Sequence, residues 1–515
     1  MEKSSTLKNV SIVSSMTVVS RVFGYLRDAT FVSFFGISEI GAAFLLAFSF
    51  PNLLRRLLGE GTLASAVIPV LSAQYVRYGK NSMFKLFSHV IWRLAIMLCC
   101  ILALTYVAVA VADGAVADAK WSMALSFAAA LLPYMIFVCL AAIVSAALNV
   151  LGKFFVSSIN QVWMNISMIL SLLIGGLCFR LEGLPLVHCL VVGVLVGGFV
   201  QLAMPLAAMF ALGWRPSLGE TENLKEGLAD VWRLFLPGTF GASIEQLNVL
   251  VSRFIAYRFF APAVTLLYVA VRLVELPTGI FALAIGTVFF PDMAKIASAK
   301  SKETMGAAFD SCLVALLWIL LPSAIGLFML RREILSVFFE RGNFSSGNVA
   351  SVVPIVAAYC CSMVFAGAST LLIRGFHALK DMKTPAFVGF AALATNATLA
   401  LTFVGPFGVV GLAMAMGCAA VLQAICLAVL FRRKVNGASF AEKFKGCAPI
   451  LYGCAAVALL AAGARFFVKS YLPCGKKVGD VVSVALAGAL APPAYLFLCR
   501  RLIRRAFSAR KKTID

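Results

Sequence analysis

Long apolar stretches, separated by short polar connections, run along almost the whole chain. About fourteen of them reach the ~20 residues that an α-helix needs to cross a bilayer. Because the connections are short, the pattern predicts an all-α polytopic membrane protein without a separate extramembrane domain. The predicted spans are residues 10–35, 39–58, 86–112, 122–149, 155–179, 184–212, 231–256, 263–290, 308–329, 348–373, 385–404, 407–431, 447–468 and 479–499.

Composition agrees with this pattern and narrows the possible functions. Of the 515 residues, 62% are hydrophobic and 13% are charged, and the mean hydropathy is +0.97. A soluble domain carries about 25% charged residues. A soluble enzyme, a disordered chain and a secreted disulfide scaffold are therefore excluded.

The net charge of +22 indicates a membrane orientation rather than a nucleic-acid partner. Most basic residues fall in the connections that share one side of the membrane when both termini are cytoplasmic, as the positive-inside rule requires. The basic tail from Arg500 to Lys512 is expected to lie on anionic lipid headgroups. The sequence contains no CxxC, HExxH or GxxxxGK[ST] motif, so we expect neither a cofactor nor a metal site.

A weak internal repeat organises the spans. The segment 148–165 resembles the segment 377–396, and Asn165 and Asn396 are offset by 231 residues (396 − 165). Each segment joins two spans through a tight basic turn, so the offset corresponds to six helices. Parallel repeats of this kind are typical of transporters that bind substrate between two lobes. We therefore predict an N-lobe at 1–215, a C-lobe at 216–435, and two further helices with the basic tail at 436–515.

Charges inside the first two spans are costly, at about 2.5–3.5 kcal/mol each, and indicate a polar cavity or a partner. The first span contains Arg21, Arg27 and Asp28. The second contains Arg55 and Arg56, which point about 100° apart on a helix. Either one of them faces a cavity while the other reaches the membrane interface, or both reach the interface. In the same span, Pro51 frees a backbone carbonyl and is followed by Asn52. Glu60 comes just after the span, four residues after Arg56, where it is able to pair with that arginine.

The eighth span carries another pair of charges. Arg272 and Glu275 are three residues apart and are placed to form an ion pair on one face of a helix. One interpretation is a self-contained pair that makes the charge tolerable in lipid. The other is that Glu275 holds Arg272 in place for a substrate.

Together, Arg21, Arg27, Arg55 and Arg272 predict a cationic cavity. Arginine is suited to bidentate contact with phosphate, and a low dielectric strengthens that attraction. The expected substrate is anionic, with a phosphate or diphosphate group.

At these residues the sequence resembles the MurJ (MviN) lipid II flippases of bacteria, within the multidrug/oligosaccharidyl-lipid/polysaccharide exporter superfamily. The motifs that carry the resemblance occur in the family's order. They are residues 20–28 (SRVFGYLRD), 51–56 (PNLLRR) with Glu60 and Gly61, Leu148 and Asn149 followed by Asn165, 246–248 (QLN), 272–277 (RLVELP), 339–342 (FERG) and 378–385 (ALKDMKTP).

The resemblance implies a transporter rather than an enzyme, which moves lipid II from the inner to the outer leaflet of the bacterial cytoplasmic (inner) membrane by alternating access. It implies two lobes in a V around a central cavity, and a groove for the lipid tail formed by the last two helices. It also implies that Arg21, Arg27, Arg55 and Arg272 bind the diphosphate. The residues expected to support or gate the cavity are Asp28, Pro51, Asn52, Arg56, Glu60 and Glu275. A functional monomer is expected, with an association with cell-wall synthesis proteins left open.

Three neutral residues stand where the family often has an acid: Ala42, Val271 and Ser252. The neutral residues Ser252 and Ala400 stand where some relatives build a sodium site from acidic residues, so we expect this chain to lack that site. We therefore expect the membrane potential to drive the cycle, at about 2.3 kcal/mol per charge per 100 mV.

Other functions stay open at this point. A flippase for another polyprenyl-diphosphate-linked oligosaccharide would use the same cationic cavity to bind its diphosphate. A drug/ion antiporter of the same superfamily would need acidic cavity residues, and a lipid II-polymerising enzyme would need a large outer loop. A non-transporting scaffold would tolerate removal of the arginines.

Overall fold

A computed structural model of the chain describes residues 2–59, 62–220, 222–279, 302–379, 381–435, 448–472 and 475–514. Within these ranges the chain forms α-helices, a few π-helical turns and no strand, which confirms the all-α prediction. We number the helices in chain order: α1 Glu2–Phe35, α2 Glu39–Leu54, α3 Thr62–Ala115, α4 Ala119–Leu131, α5 Pro133–Val150, α6 Phe154–Leu173, α7 Gly183–Ala211, α8 Leu224–Phe259, α9 Ala263–Pro277, α10 Lys302–Phe339, α11 Ser346–Ala378, α12 Lys383–Lys434, α13 Ala448–Tyr471 and α14 Lys476–Ile514.

Ten helical segments in the described ranges are long and apolar enough to cross a membrane. One of them, α12, contains two of the predicted spans, because Gly408 breaks the helix with a φ of 56°. The first, seventh and eighth predicted spans are not among the ten. The first and seventh correspond to α1 and α8, which carry charges inside their apolar stretches, and the described part of the eighth, α9, is short. The three predicted spans that are not long or apolar enough to be counted among the ten all contain charged residues.

The chain forms two compact units. Unit 1 contains Met1–Thr265 and Arg341–Asn343, and unit 2 contains Leu266–Glu340 and Phe344–Asp515. Helix α8, which the predicted boundary at 215 and 216 assigns to the C-lobe, therefore packs within unit 1 through α2 and α3. The lobe boundaries were drawn from the repeat, whereas these units reflect packing, so the two divisions describe different properties.

A row of aromatic rings links α1, α2 and α5 in the core of unit 1. The ring centroids of Phe31 and Phe44 are 5.6 Å apart, those of Phe44 and Phe48 are 5.7 Å apart, and those of Phe48 and Tyr134 are 5.9 Å apart. Such spacings are favourable for aromatic pairs beyond the area that they bury. The row fixes the neighbouring turns of α1 and α2, which carry the arginines of the first two spans.

Helix α7 packs closely on α6 through glycines. A Cβ atom at Gly193 would lie 2.3 Å from Oγ of Ser171, and one at Gly197 would lie 3.0 Å from the side chain of Met164. The hydroxyl of Ser167 donates to the backbone oxygen of Gly193 at 2.6 Å. Small residues permit this close approach in membrane helices, and the close approach holds α6 rigidly within unit 1.

In unit 2, the last two helices are attached to α10 by both apolar and ionic contacts. Nε of Arg465 on α13 lies 2.7 Å from Oε1 of the buried Glu333 on α10. Nζ of Lys476 at the start of α14 lies 3.4 Å from Oε1 of Glu340. The Tyr495 hydroxyl donates to the backbone oxygen of Trp318 at 2.7 Å. Arg465, which has no role in the sequence motifs, thus joins α13 to α10.

The two turns of the internal repeat are closed in different ways. Between α5 and α6, Gly152 adopts a φ of 74°, and the N–H of Lys153 donates to the oxygen of Leu148 at 2.9 Å. Between α11 and α12, the carboxylate of Asp381 accepts from the N–H of Thr384 at 3.0 Å and from its hydroxyl at 2.6 Å. The Lys434 ammonium also donates to Asp381.

Candidate functional site

Helix α1 places a buried ion pair in unit 1. Arg27 and Asp28 are exposed by only 8% and 3%. Nε and Nη2 of Arg27 both donate to Oδ1 of Asp28, at 2.9 and 2.6 Å. Pairing lowers the cost of holding either charge in a low dielectric, since an uncompensated buried charge is costly. The other predicted arginine of this helix, Arg21, is half-buried.

Helix α6 provides a further partner for Arg27. Nη1 of Arg27 donates to Oδ1 of Asn165 at 3.0 Å, and Nδ2 of Asn165 donates to the backbone oxygen of Ser20 at 3.3 Å. The Asn165 side chain is buried against α1. Asn165, which the sequence motifs contained without a role, thus contacts a predicted substrate arginine.

The end of α2 positions Arg55 and Arg56 in different environments. Pro51 lies inside α2, and the helix widens into a π-helical turn at Arg55–Gly59. Arg55 is buried and Arg56 is exposed, as expected for side chains about 100° apart.

Two neutral amides contact Arg55. Its Nε donates to Oδ1 of Asn52 at 3.1 Å, and its Nη1 lies 3.5 Å from Oε1 of Gln161 on α6. Nδ2 of Asn52 in turn donates to the backbone oxygen of Phe48 at 3.1 Å. Helix α6 therefore contacts both Arg27 and Arg55 from side chains one turn apart.

Two more arginines connect α2 with α8. Nη1 of Arg56 donates to Oε1 of Gln246 at 3.0 Å, and Nη1 of Arg253 donates to the hydroxyl of Ser49. The two contacts are seven residues apart on each helix, which matches two turns of an antiparallel pair. Glu60, predicted to pair with Arg56, lies outside the described residues.

Helix α9 places Arg272 in unit 2. Its Nη1 donates to Oε2 of Glu275 at 2.8 Å, which is the pair that the three-residue spacing predicts. Its Nη2 donates to the hydroxyl of Tyr268 at 3.3 Å, and its guanidinium carbon lies 4.8 Å from the centroid of the same ring. The ion pair is partly exposed, with side-chain exposures of 29% for Arg272 and 49% for Glu275.

The residues that depart from the family pattern are either apolar or, in the case of Ser252, hydrogen-bonded within their own helix. Ala42 and Ala400 are buried. The Ser252 hydroxyl donates to the backbone oxygen of Asn248 at 3.0 Å. In the part of the chain that the structure describes, no group of three or more His, Cys, Asp or Glu side chains is arranged to hold a metal ion.

The structure thus brings together Arg27, Asp28, Asn52 and Arg55 of unit 1 through α6, and it pairs Arg272 with Glu275 in unit 2. Sequence reasoning missed Gln161. A signal was present, because Ser157, Gln161 and Asn165 recur every four residues and therefore share one face of a helix.

Comparison with known proteins gives consistent matches. The model of the family "Lipid II flippase MurJ" matches residues 31–481. The "Probable lipid II flippase MurJ" of Vibrio cholerae is 30% identical over 441 residues, which cover 83% of this chain and 82% of that protein. The relative of the same name from Haemophilus influenzae is 31% identical over 434 residues, covering 80% of this chain and 83% of its own length.

Solved structures share the fold. "Lipid II flippase MurJ, inward closed conformation" superposes with a TM-score of 0.76 and 22% identity, covering 95% of this chain and 99% of that one. An inward-facing multidrug resistance MATE family transporter of the MOP superfamily superposes with a TM-score of 0.68 and 14% identity, covering 80% and 94%. At these identities the likeness extends to the multi-span helical fold, and the two sequence comparisons are what distinguish the families.

Proposed function

Because the chain belongs to the lipid II flippase MurJ family, whose members are transporters rather than enzymes, we propose that it moves lipid II from the inner to the outer leaflet by alternating access. In this proposal Arg21, Arg27, Arg55 and Arg272 bind the diphosphate during transport. The residues that support or gate the cavity are Asp28, Pro51, Asn52, Arg56, Glu60 and Glu275.

The observation that carries the proposal is the arrangement of Arg27 and Arg55. Both are buried within a multi-span unit, where an arginine is costly, and both donate hydrogen bonds to the amide oxygens of neighbouring side chains. A scaffold gains nothing from such charges. A carrier of a diphosphate gains oriented guanidinium groups whose attraction for an anion is strengthened by the low dielectric.

The location and assembly follow from the same proposal. The protein lies in the bacterial cytoplasmic (inner) membrane with both termini in the cytoplasm. It works as a monomer, with lobes at 1–215 and 216–435 that alternate access, and with residues 436–515 holding the lipid tail. The membrane potential drives the return of the empty cationic cavity. Transport that is unchanged after the potential is collapsed at constant sodium would contradict this coupling.

The test expresses the chain in bacteria depleted of their own flippase and measures the lipid II accessible to a lipid II-cleaving enzyme at the outer face. The parent chain is compared with Arg27→Ala and with a control, Arg258→Ala, which removes an exposed arginine of the same unit. We expect the parent and the control to restore outer-face lipid II and Arg27→Ala to lose it.

The other outcomes are equally informative. If all three proteins restore outer-face lipid II, the function stands and the role of Arg27 is wrong. If the well-expressed parent restores none, either the substrate is another polyprenyl-diphosphate-linked oligosaccharide or the host lacks a partner that transport requires, and these are the next two tests.

A further inference from the structure

Two amide side chains on one face of α6 contact two of the arginines proposed to bind the diphosphate. Oδ1 of Asn165 accepts from Arg27 at 3.0 Å, and Oε1 of Gln161 lies 3.5 Å from Nη1 of Arg55. We propose that Gln161 and Asn165 are positioning residues, which set the orientation and spacing of the two guanidinium groups for an anionic diphosphate. This inference rests on the proposed function.

The spacing along α6 supports this role. Residues 161 and 165 are four apart, so their side chains share a face and are separated by about 6 Å along the helix axis. Their arginine partners come from α1 and α2. One rigid helix, packed closely on α7, therefore sets the separation of two cations that belong to two other helices.

The amide of Asn165 has a defined orientation. Its NH₂ group donates to the backbone oxygen of Ser20, and its oxygen accepts from the guanidinium of Arg27. The reversed amide would place NH₂ against a donor and oxygen against an acceptor, so the hydrogen-bond partners themselves select one orientation. Asn52 uses the same arrangement, with NH₂ on the Phe48 oxygen and its own oxygen on Arg55.

The choice of amides over carboxylates has a physical consequence. An amide oxygen fixes a guanidinium without contributing charge, so α6 holds both arginines without adding to the negative charge of Asp28, the carboxylate already paired with Arg27. A carboxylate at the same position would add a negative charge beside the bound phosphates and oppose them. An isosteric change from amide to carboxylate therefore separates positioning from simple packing.

The experiment measures how purified full-length protein binds undecaprenyl diphosphate, with undecaprenol as the phosphate-free probe. The variants are Gln161→Ala, Asn165→Ala, Gln161→Glu and Asn165→Asp. The matched control is Asn160→Ala, on the same helix, whose side-chain oxygen is buried and makes no hydrogen bond to a described residue. Thermal unfolding of each variant identifies those that fail to fold.

We expect the alanine variants to bind the diphosphate about tenfold more weakly, which corresponds to the loss of about 1.4 kcal/mol. The carboxylate variants are expected to bind it more weakly still, while affinity for undecaprenol is unchanged in all of them. The control is expected to match the parent. Rates of lipid II exposure at the outer face should fall in the same order.

Three results distinguish the possible failures. If the parent binds both probes equally, the diphosphate is not recognised and the proposed function fails. If the parent prefers the diphosphate and the folded variants keep its affinity, the positioning role is overturned. If the carboxylate variants equal the parent while the alanine variants unfold at lower temperature, the two amides serve packing alone, and the inference is again overturned.

Discussion

Arg27 in unit 1 and Arg272 in unit 2 have the same kind of partner but different surroundings. Each pairs with a carboxylate close in sequence, at 2.6 Å for Arg27 and Asp28 and at 2.8 Å for Arg272 and Glu275. The side-chain exposures are 10% and 4% in the first pair, against 29% and 49% in the second. Arg27 also reaches an amide 138 residues away, whereas Glu275 and Tyr268 lie within one turn of Arg272 on its own helix.

Because the two ion pairs differ in burial, they are expected to contribute differently to the stability of the protein. Removing one partner of a buried pair leaves the other charge uncompensated and costs several kcal/mol, whereas an exposed pair contributes little. Loss of Arg27 therefore damages both the fold of unit 1 and the proposed substrate site. Loss of Arg272 affects the proposed site with little effect on stability.

The largest expected effect is that of Arg27→Ala on stability. We expect a loss of about 3–5 kcal/mol, because the buried carboxylate of Asp28 loses the guanidinium that donates two hydrogen bonds to it. The double variant Arg27→Ala with Asp28→Asn should recover most of this loss but not the exposure of outer-face lipid II. Thermal unfolding in detergent and the outer-face assay measure the two quantities. A single variant as stable as the parent would show that the pair contributes nothing to unit 1.

A second prediction extends the comparison to the repeat-related turns. In unit 2, burial raises the pKa of Asp381, but hydrogen bonds from Lys434 and Thr384 outweigh this effect and lower the pKa to about 2. Because the folded-state pKa lies below the unfolded value of about 3.9, the stabilisation is complete above that pH and is lost as the pH falls towards 2. It amounts to about 2 kcal/mol at neutral pH.

Asp381→Asn should therefore lower the unfolding temperature at pH 7 and have little effect near pH 2. Hydrogen exchange of residues 376–386 reports the local effect directly. An equal difference between variant and parent at both pH values would contradict the assignment of the shift to Asp381.

The turn of unit 1 depends on backbone conformation instead of charge. Gly152→Ala should destabilise the protein by about 1–2 kcal/mol, because Gly152 has a φ of 74°, a backbone conformation that alanine adopts only at a cost. No atom lies within 4 Å of a Cβ at this position, so a steric clash adds nothing to this cost. Gly114→Ala is the control, since Gly114 lies in α3 with open space around it and no positive φ. This loss should not depend on pH between 2 and 7, unlike that of Asp381→Asn. Unfolding temperatures across that range check both statements.

The smallest expected effect on stability is that of Arg272→Ala, at about 0–1 kcal/mol, since its pair with Glu275 is half exposed. The exposure of outer-face lipid II should nevertheless be lost. The measurement is the same pair of assays as for Arg27→Ala. A destabilisation as large as that of Arg27→Ala would remove the contrast between the two units.

Much of the local architecture was predictable from the sequence. Spans of about 20 apolar residues indicate transmembrane helices, because the bilayer core offers no water to hydrogen-bond the backbone and a helix pairs these groups internally. The pairing of Arg272 with Glu275 follows from a three-residue spacing on a helix. The different burial of Arg55 and Arg56 follows from their 100° separation. Each of these statements depends only on helical geometry.

Contacts between helices were not predictable in the same way. The spacing of charges on α1 says nothing about which other helix faces Arg27, and Gln161 gave only the weak signal of a repeated polar face. The repeat in the sequence also gave no indication that α8 packs on α2, where Arg56 contacts Gln246 of α8 and Arg253 of α8 contacts Ser49.

The sequence by itself determined the helical membrane class, the family and the identity of the charged residues inside the spans. Apolar length, residue order and local spacing suffice for these, since each is a property of one segment at a time. Only the tertiary structure decided that α6 holds Arg27 and Arg55 together, and that Asp28 is buried beside its arginine while Glu275 is exposed. These facts depend on how helices far apart in sequence pack, because burial and hydrogen-bond partners are set by the neighbours that packing supplies.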